Sequence, residues 1–591
     1  MSLCFGPIIS KDSTTFRLWA PLHDRIGLKL PTDDICEMHR ADDGWFTVAV
    51  KGAGPGTTYQ FVLPDGTTVP DPGSRYQPND VHGPSEVVDL DAYVWRRTDW
   101  PGRPWKEMVL YELHIGTFTK QGTFKAVIER LDHLKRLGVT AIQIMPVADF
   151  PGSYNWGYDG VLPYAPDSSY GRPQDLMGLI DAAHERDICV FLDVVYNHFG
   201  PDGNYIPLYA PLFSKRHNTT WGNGLNYDGP NCNMVREFIV QNALYWISKY
   251  NIDGLRMDAV HAITDDSPEH LLVELARRIR EAAIDRHVHL ILENENNDSA
   301  FLRRDSKGTV LHYTAQWNDD IHHVLHVAAT GESFGYYGDY NVRGNELGRA
   351  LAEGFVFQGE IMPYRGETRG KPSAELPPSA FISFIQNHDQ IGNRAQGDRM
   401  ITYTDPRALK AITAIYLLLP QIPMLFMGEE WGATTPFPFF CDFNEDLNKI
   451  VREGRRKELS RLPGFDGDDI PDPTALSTFL SGQLDWTTLQ SDAADDWLRF
   501  YQSLLMLRRQ QIVPLLDGAI RSGGTARQEG KTVAVQWDMA SDAKLSLMAN
   551  LSPEVGALIP RIEQAETLFS LGAPVNEQLP SWGVIWRIEY S

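Results

Sequence analysis

Eight short apolar stretches alternate with amphipathic helical patterns between residues 108 and 428, and this alternation constrains the possible fold more than any other feature. Short apolar runs separated by helical patterns are typical of parallel βα units. In the first helical pattern, apolar residues recur at three- and four-residue spacing from Val127 to Leu137. The predicted strands are MVLYELHIG, AIQIMPV, CVFLDVV, GLRMDAV, HLILEN, TAQWN, AFISFIQNH and PMLFMG. Eight such repeats predict an α/β fold built on a (β/α)8 TIM barrel.

The segments on either side of this barrel have the pattern of antiparallel sheets. Residues 1–95 contain alternating stretches such as TFRLWA and GWFTVAV between Gly- and Pro-rich turns, which predicts an N-terminal immunoglobulin-like β-sandwich. The barrel is expected over residues 96–517, with a long insert at about 197–232 after the third strand. Connections of that length are usually functional. Residues 518–591 return to the alternating pattern and predict a C-terminal β-sandwich domain.

The acidic balance and the scattered cysteines exclude several classes of function. A net charge of -23 argues against nucleic-acid binding, which needs a basic face against the phosphates, and fits a neutral substrate better. The N-terminal stretch MSLCFGPIIS lacks a signal-peptide pattern, and Pro420 and Pro423 interrupt the apolar run 411–428, so we expect a cytoplasmic protein without a membrane role. The cysteines lack CxxC spacing, which argues against a disulfide framework and a zinc site. They are Cys4, Cys36, Cys189, Cys232 and Cys441.

Polar residues follow four of the predicted strands directly, at the carboxyl ends where barrel active sites lie. The stretches are FLDVVYNH, GLRMDAVH, LILENEN and FIQNHDQIGN. They supply Asp193, Asn197, His198, Arg256, Asp258, His261, Glu293, Glu295, Asn387, His388 and Asp389. Each has a structural alternative when taken alone, such as a loop brace for Asp193 or a buried core residue for a histidine. Carboxylates and imidazoles that meet at one barrel mouth favour glycoside hydrolysis, in which one carboxylate attacks and another protonates the leaving oxygen.

Arg256 and Asp258 form the most informative pair. They are two residues apart on a predicted strand, so their side chains leave on one face, and the guanidinium keeps the carboxylate ionised. An ionised carboxylate can act as a nucleophile, whereas a buried structural ion pair is the alternative. Glu293 is a candidate general acid if its pKa is raised, but Glu295 lies on the same face if the strand continues that far. Spacing alone does not choose between these two glutamates.

The motifs predict no cofactor. The chain has no GxxxxGK[ST] sequence, and GYYGDY lacks the helix and the spacing of a dinucleotide site. Several aromatic residues near strand ends could stack on sugar faces, although each one alone is more often a core residue. They are Tyr154, Trp156, Tyr158, Trp317 and Trp431.

The stretches DVVYNH, GLRMDAVH, LILENE and FIQNHD, in this order, resemble the four sequence regions of the α-amylase superfamily. In that family the aspartate of the second region is the nucleophile, the glutamate of the third is the acid/base, and the aspartate of the fourth stabilises the transition state. The resemblance implies these roles for Asp258, Glu293 and Asp389, and it favours Glu293 over Glu295. The sugar contacts and the site anchor that it implies are Tyr158, His198, Arg256, His388 and, as the anchor, Asp193. Leu292 departs from the small residue that family members often have there.

Longer stretches resemble one group of this superfamily, the maltooligosyltrehalose trehalohydrolases. They are YELHIGTFT, WGYDGVLPYAPDSSYGRPQDLMGLIDAAHER, QWNDDIHHVLHVAATGESFGYYGDY and NHDQIGNRAQGDR. The group implies a retaining hydrolase that cleaves the α-1,4 bond beside the terminal trehalose of maltooligosyltrehalose, a glucan-binding type of N-terminal sandwich and a synthase as functional partner. The further substrate contacts that it implies are His261, Asp319, Asp320, His322, His323, Gln390, Asn393 and Arg394. No metal is expected, although Asn197 matches a calcium ligand of true α-amylases.

Two other functions are compatible with the sequence. A 1,4-α-glucan branching enzyme, which is a transferase, would use the same carboxylates with a sugar hydroxyl in place of water as acceptor. A non-catalytic glucan-binding protein would be expected to lose catalytic carboxylates, and all three candidates are present.

DDIHH is also compatible with a solvated helix start or a metal cluster. Glu429 of MGEEW stands where close relatives are expected to have an amide.

Overall fold

At the N-terminus the described strands form two antiparallel sheets. The computed structural model describes residues 4–32, 35–341, 344–460, 470–516, 522–556, 565–573 and 578–590. The N-terminal strands are β1 (Ile8–Ile9), β2 (Ser13–Trp19), β3 (Gly27–Lys29), β4 (Ile35–Glu37), β5 (His39–Arg40), β6 (Trp45–Lys51), β7 (Thr58–Val62), β8 (Thr68–Val69) and β9 (Ser85–Glu86). One sheet has the order β1-β2-β6-β5 and the other β4-β3-β7-β8, with β9 paired to β7. Every second residue of β2 is buried, and Phe16 packs on Tyr59 with 4.6 Å between ring centroids, as the predicted sandwich requires.

The middle of the described chain forms a closed barrel of eight parallel strands that follow one another in sequence order. In chain order the strands are β10 (Leu110–Leu113), β11 (Ala141–Ile144), β12 (Ala148–Asp149), β13 (Leu162–Pro166), β14 (Cys189–Val194), β15 (Phe213–Thr219), β16 (Gly222–Leu225), β17 (Gly254–Met257), β18 (His289–Leu292), β19 (Ala315–Trp317), β20 (Ile361–Met362), β21 (Glu367–Thr368), β22 (Phe381–Ser383) and β23 (Ile422–Phe426). The pairs β12–β13, β15–β16 and β20–β21 are separate hairpins, and the other strands make the barrel. Each barrel strand overlaps one of the predicted stretches, which confirms the predicted barrel.

Helices connect the barrel strands and cover the outside of the barrel. The described α-helices are α1 (Ile115–Phe118), α2 (Phe124–Ile128), α3 (Leu131–Leu137), α4 (Pro173–His184), α5 (Cys232–Lys249), α6 (Leu271–Ala282), α7 (Asp319–Thr330), α8 (Glu346–Glu353), α9 (His388–Gly392), α10 (Met400–Tyr403), α11 (Pro406–Leu418), α12 (Glu445–Leu459), α13 (Leu476–Ser481) and α14 (Asp492–Leu507). The predicted long insert lies between β14 and α5 and carries the hairpin β15–β16. Among the described residues, no helix is both long and apolar enough to span a bilayer.

The described C-terminal residues form one antiparallel sheet of order β24-β25-β26-β28-β27. Its strands are β24 (Thr525–Glu529), β25 (Thr532–Asp538), β26 (Ala543–Asn550), β27 (Glu566–Leu571) and β28 (Val584–Tyr590). The sheet packs on the barrel helices, since Trp586 Nε1 donates to the Ala414 carbonyl of α11 at 3.1 Å. Antiparallel sheets that precede and follow a closed parallel barrel along the chain confirm the predicted fold class. The predicted boundary between residues 517 and 518 lies outside the described residues, and the domain limits stay predictions.

The close approach of two barrel strands depends on one glycine. Gly254 of β17 pairs with Phe191 of β14, and a Cβ at Gly254 would lie 2.1 Å from the Phe191 ring. A residue without a Cβ therefore lets these strands come together. Strand β17 ends at Met257, and Ala259, two residues further on, has a left-handed φ of 40°. This turn leaves Asp258 at the carboxyl end of the strand, at the barrel mouth.

Candidate active site

Arg256 lies at the centre of the candidate site, between two carboxylates. Its Nη1 donates to Asp193 Oδ1 at 2.9 Å and to Asp258 Oδ1 at 2.7 Å. The side chain is 1% exposed, and its guanidinium lies 4.2 Å from the Trp317 ring centroid. Burial opposes the charge of Arg256, but Asp193 and its neighbours outweigh burial and raise the pKa of the guanidinium well above its ordinary value. The pairing of Arg256 with Asp258, predicted from their spacing, is confirmed.

Asp258 is positioned from both sides. Besides the contact with Arg256, its Oδ2 accepts a hydrogen bond from Asn197 Nδ2 at 2.9 Å, and the same amide donates to the Asp258 carbonyl at 2.9 Å. Asn197 therefore serves a carboxylate in this structure. The Asp258 side chain keeps 13% of its surface exposed toward the cleft. A fixed, partly exposed carboxylate held by a cation suits a nucleophile.

Glu293 has the opposite environment, one that keeps a carboxyl neutral. Burial, with added repulsion from Asp258, raises the pKa of Glu293 to about 8 against the pull of Arg256. Arg256 Nη2 lies 3.5 Å from Glu293 Oε2, and the Ala259 backbone N–H donates to the same oxygen at 2.5 Å. A carboxyl that keeps its proton near neutral pH can act as a general acid.

Glu295 has a different set of neighbours. Strand β18 ends at Leu292, so the alternation that would place both glutamates on one face does not extend to them. Glu295 is 53% exposed, lies 3.5 Å from His261 Nε2 and pairs with Arg365. Among the two glutamates that the sequence could not separate, Glu293 is the one beside Arg256 and Asp258.

His388 and Asp389 begin α9 at the end of β22. Glu112 of β10 accepts from the His388 backbone N–H at 3.0 Å and lies 2.7 Å from its Nδ1. Burial lowers the pKa of His388, but the Glu112 carboxylate outweighs it and raises the pKa above its ordinary value. Tyr158 stacks on His388 with 5.1 Å between ring centroids. Asp389 is 49% exposed and faces the cleft, where its charge can act on a bound sugar.

A cleft of about 570 Å³ opens above these groups. The predicted site residues that line it are Tyr158, His198, Asp258, His261, Glu293, Asp319, His323, His388, Asp389, Gln390 and Asn393. Arg256 lies directly beneath it. Burial raises the pKa of Asp319 to about 7, and Asp389 adds to this, so the cleft holds a second carboxyl that titrates near neutrality.

Four predicted substrate contacts, Arg256, Asp320, His322 and Arg394, are not among the residues that line the cleft. Asp320 has no exposed surface and accepts hydrogen bonds from Arg369 Nη1 at 2.7 Å and Tyr340 Oη at 2.6 Å. His322 lies 2.7 Å from the Ile385 carbonyl, and Arg394 donates to Glu332. The polar groups of these residues bond within the protein, and contact with substrate stays a prediction for them. Asp319 and His323 reach the cleft because residues four apart share one face of α7.

Of the aromatic residues and Glu429, which the sequence also singled out, some line the cleft and others are buried away from it. Trp156 and Trp317 line the cleft, whereas the buried Tyr154 stacks on Phe479 and the buried Trp431 packs at a tilt against Trp486. Glu429 is buried too. Its carboxylate accepts from Tyr416 and Tyr501, and burial raises its pKa to about 7, so it ties α11 to α14 and does not reach the cleft.

Several cleft residues were missed by the sequence. They are Trp221, Tyr336, Tyr340, Met362, Tyr364, Arg365, Arg369, Phe439, Val451, Arg455 and Glu458. Trp221, at the turn of the hairpin β15–β16, is 51% exposed and stacks on His198 with 5.8 Å between ring centroids. The length of the insert was the only signal for this hairpin. Tyr336 and Tyr340 lie in the quoted stretch that ends in GYYGDY, but nothing in the stretch singled them out.

A metal centre is compatible with one cluster of the described residues, whose members do not line the cleft. One ligand atom from each of His217, Asp228 and Asp266 lies within 4.8 Å of the others. Arg216 Nη2 lies 2.5 Å from Asp228 Oδ2 and already supplies a positive charge there. The DDIHH stretch forms the start of α7, and it is not among the groups that could hold a metal.

Comparison with known proteins gives a consistent set of relatives. Residues 92–208 and 217–514 match the family described as alpha amylase, catalytic domain. The malto-oligosyltrehalose trehalohydrolase of Saccharolobus solfataricus is 42% identical over 86% of this chain and 87% of that protein. The crystal structure of a putative alpha amylase from Salmonella typhimurium is 47% identical, with a TM-score of 0.95 and 100% of both chains covered. A 1,4-alpha-glucan branching enzyme of Salinibacter ruber is 33% identical over 42% of this chain.

Proposed function

The chain belongs to the α-amylase family and, within it, to the malto-oligosyltrehalose trehalohydrolases, and from this premise we propose that it hydrolyses the α-1,4 bond beside the terminal trehalose of maltooligosyltrehalose. The products are free trehalose and a maltooligosaccharide. The observation that carries the proposal is the pair of unlike carboxyls in one cleft: Asp258 held by Arg256 and Asn197, and Glu293 with a pKa of about 8.

The first half of the proposed reaction forms a covalent intermediate. An Asp258 carboxylate oxygen attacks the anomeric carbon while the bond from that carbon to the glycosidic oxygen breaks. Glu293 gives its proton to that oxygen, and trehalose leaves as a neutral alcohol. Asp389 faces the positive charge that develops on the sugar ring. The sugar is then an ester of Asp258, and Glu293 is an ionised carboxylate.

The second half regenerates the enzyme. Glu293 takes a proton from a water molecule as the water oxygen bonds to the anomeric carbon, and the bond from that carbon to Asp258 breaks. Two inversions at one carbon give retention, so the maltooligosaccharide is released as its α-anomer. Tyr158, His198 and His388 are proposed to contact the sugar at the cleavage point, since all three line the cleft beside Asp258.

The branching-enzyme alternative differs in the acceptor. A transferase holds a sugar hydroxyl where the hydrolase admits water. The matching branching enzyme covers 42% of this chain, whereas the matching trehalohydrolase covers 86%. A glucan-binding protein without activity would not need a carboxyl with a raised pKa, such as Glu293, beside an aspartate held by a guanidinium.

The test compares two substrates with one purified chain. Maltooligosyltrehalose and a plain maltooligosaccharide of the same length are incubated separately and the products are chromatographed. We expect free trehalose from the first. The Asp258→Asn variant should lose at least about 10⁴-fold in kcat with an unchanged melting temperature, because an amide cannot form the glycosyl ester. New α-1,6 branches in place of trehalose, or an Asp258→Asn variant with near-normal activity, would contradict the proposal.

We also propose that a synthase that builds the terminal trehalose linkage supplies the substrate, and that both enzymes work in the cytoplasm. The synthase is proposed as a functional partner only because an enzyme of that kind must make the proposed substrate. The five cysteines are all free, which fits a reducing compartment.

A further inference from the structure

A second large cavity, of about 850 Å³, opens at the amino ends of the barrel strands. Trp105 precedes β10, His289 begins β18, Thr314 precedes β19 and Ser379 precedes β22, and all four residues line this cavity. The catalytic groups follow the carboxyl ends, so the two cavities lie at opposite ends of the barrel. Its volume is within the range of about 300–1,000 Å³ typical of small-molecule sites.

The lining of this cavity is basic, although the chain as a whole is acidic with a net charge of -23. Its positively charged side chains are Lys106, Arg280, Arg286, Arg303 and Arg304. Asp305 and Glu375 are the acids of the lining. Asp305 Oδ1 accepts backbone N–H groups of Lys307 and Thr309, each at 2.8 Å, so this carboxylate is engaged by its own loop. A concave surface of one sign attracts ions of the other.

Two of these guanidiniums have hydrogen bonds but no counter-charge within the described residues. Arg280 Nε and Nη2 donate to the His312 carbonyl at 3.1 and 2.6 Å. Arg304 donates to the carbonyls of Leu302, Tyr313 and Thr314. Backbone carbonyls satisfy N–H groups but do not neutralise a cation. Burial, followed by the charge of Arg280, lowers the pKa of Arg304 to about 10, which is the response expected of a cation without a counter-ion.

Arg303 adds a third guanidinium to the lining of this cavity. It is exposed, and its side chain has no hydrogen bond or ion pair with any part of the chain that the structure describes. The planar fork of an arginine matches the oxygens of a phosphoryl group. Trp105 and Pro377 contribute apolar surface to the lining, as is usual in sites that bind the rest of a small molecule.

We propose that this cavity is a binding site for a phosphorylated small molecule, whose phosphoryl group is held by Arg280, Arg303 and Arg304. The ligand supplies the negative charge that the three guanidiniums lack. The site is separate from the catalytic cleft, so it serves regulation or stability of the enzyme and takes no part in glycoside hydrolysis.

Isothermal titration calorimetry on the full chain, in buffer free of phosphate and sulfate, tests this site. Inorganic phosphate, glucose 1-phosphate and ADP are titrated separately, so that the preferred probe distinguishes free phosphate, a sugar phosphate and a nucleotide. We expect saturable binding of one probe per chain, with Kd below about 1 mM for the best probe. Arg303→Glu should weaken that binding at least about tenfold, because it replaces a charge-assisted donor with a like charge.

The matched control is Arg277→Glu. Arg277 lies on α6 like Arg280, pairs with Glu269 and does not line the cavity, so the same charge change should alter Kd by less than about twofold. Arg303 is chosen because Arg304 holds three carbonyls and its loss could unfold the loop. The proposal is overturned if no probe saturates below about 10 mM, if Arg303→Glu binds like the unaltered chain, or if maltotriose displaces the probe, which would place the probe in the catalytic cleft.

Discussion

The Arg256 guanidinium pairs with Asp193 and also faces two cleft carboxyls, Asp258 and Glu293, whose other surroundings differ. Nη1 lies 2.7 Å from Asp258 Oδ1, and Nη2 lies 3.5 Å from Glu293 Oε2. Asp258 has a second donor in Asn197, whereas burial is the largest influence on Glu293 and raises its pKa. Unlike environments for paired carboxyls are what the roles of nucleophile and acid require.

The choice of acid can be tested by two conservative variants. Glu293→Gln should lower kcat/KM at least about 10³-fold, because the amide has no proton to give, whereas Glu295→Gln should stay within about tenfold. Steady-state kinetics on maltooligosyltrehalose measures both. If Glu295→Gln silences the enzyme while Glu293→Gln only weakens it, the acid has been misassigned.

The pKa of Glu293 also predicts a pH dependence with a defined sign. A proton on Glu293 is needed for activity, so kcat/KM should fall as pH rises through about 8. Stability should fall in the same direction. The folded chain keeps the Glu293 proton up to about pH 8, whereas the unfolded chain loses it above about pH 4.5. The stabilisation that the protonated Glu293 gives the folded chain is therefore lost as pH rises from about 4.5 to about 8.

The Gln of Glu293→Gln cannot ionise. From pH 5 to pH 9 the free energy of unfolding of this variant should therefore rise by at least about 1 kcal/mol relative to that of the unaltered chain, since one pKa unit is about 1.4 kcal/mol. Urea titrations of both proteins at the two pH values measure the difference. A constant difference across this range would show that Glu293 is ionised in the folded state.

For single residues, the sequence predicted those side-chain contacts that depend only on residues nearby in the chain. The contact between Arg256 and Asp258 follows from their spacing on a strand. The positions of Asp320 and His322 do not, because they depend on how α7 is rotated against the barrel, and only Asp319 and His323 face the cleft. The α-amylase resemblance named the catalytic candidates, but it could not tell which neighbours the protein itself uses.

At the scale of elements, the barrel strands were predictable because each is a short apolar run followed by polar residues. The hairpins were not. Strand β15 mixes exposed and half-buried residues, and β16 has two exposed residues followed by two buried ones, so both lack the alternation that marks a half-buried strand. Trp221 at its turn reaches the cleft only through this local fold, and the length of the insert was the one sign of it in the sequence.

The strand pair β14–β17 supplies a prediction about stability. Gly254→Ala should cost about 1–3 kcal/mol, because the added Cβ would lie 2.1 Å from the Phe191 ring and 2.5 Å from the His289 carbonyl oxygen. The control is Gly454→Ala in α12, where nothing lies within 4 Å of an added Cβ and alanine should stabilise by about 0.4–1 kcal/mol. Urea denaturation measures both, and equal effects of the two substitutions would contradict the packing described for β17.

At the scale of the whole molecule, the three parts and their order were predictable from pattern changes along the chain. The walls of the cleft were not, because they come from segments far apart in sequence. Arg455 of α12 donates to the Gly392 carbonyl of α9 and lines the cleft, together with Arg365 from the turn between β20 and β21. No pattern in one sequence indicates that α12 will contact the end of α9, as Arg455 does at Gly392, 63 residues away.

Proton NMR of the purified chain acting on maltooligosyltrehalose, recorded from the first minutes, shows both the products and their anomeric form. We expect free trehalose together with a maltooligosaccharide whose new reducing end appears first as the α-anomer, since Asp258 and Glu293 act by double displacement. A β-anomer at the start would contradict the covalent intermediate on Asp258. New α-1,6 signals without trehalose would contradict the assigned reaction itself.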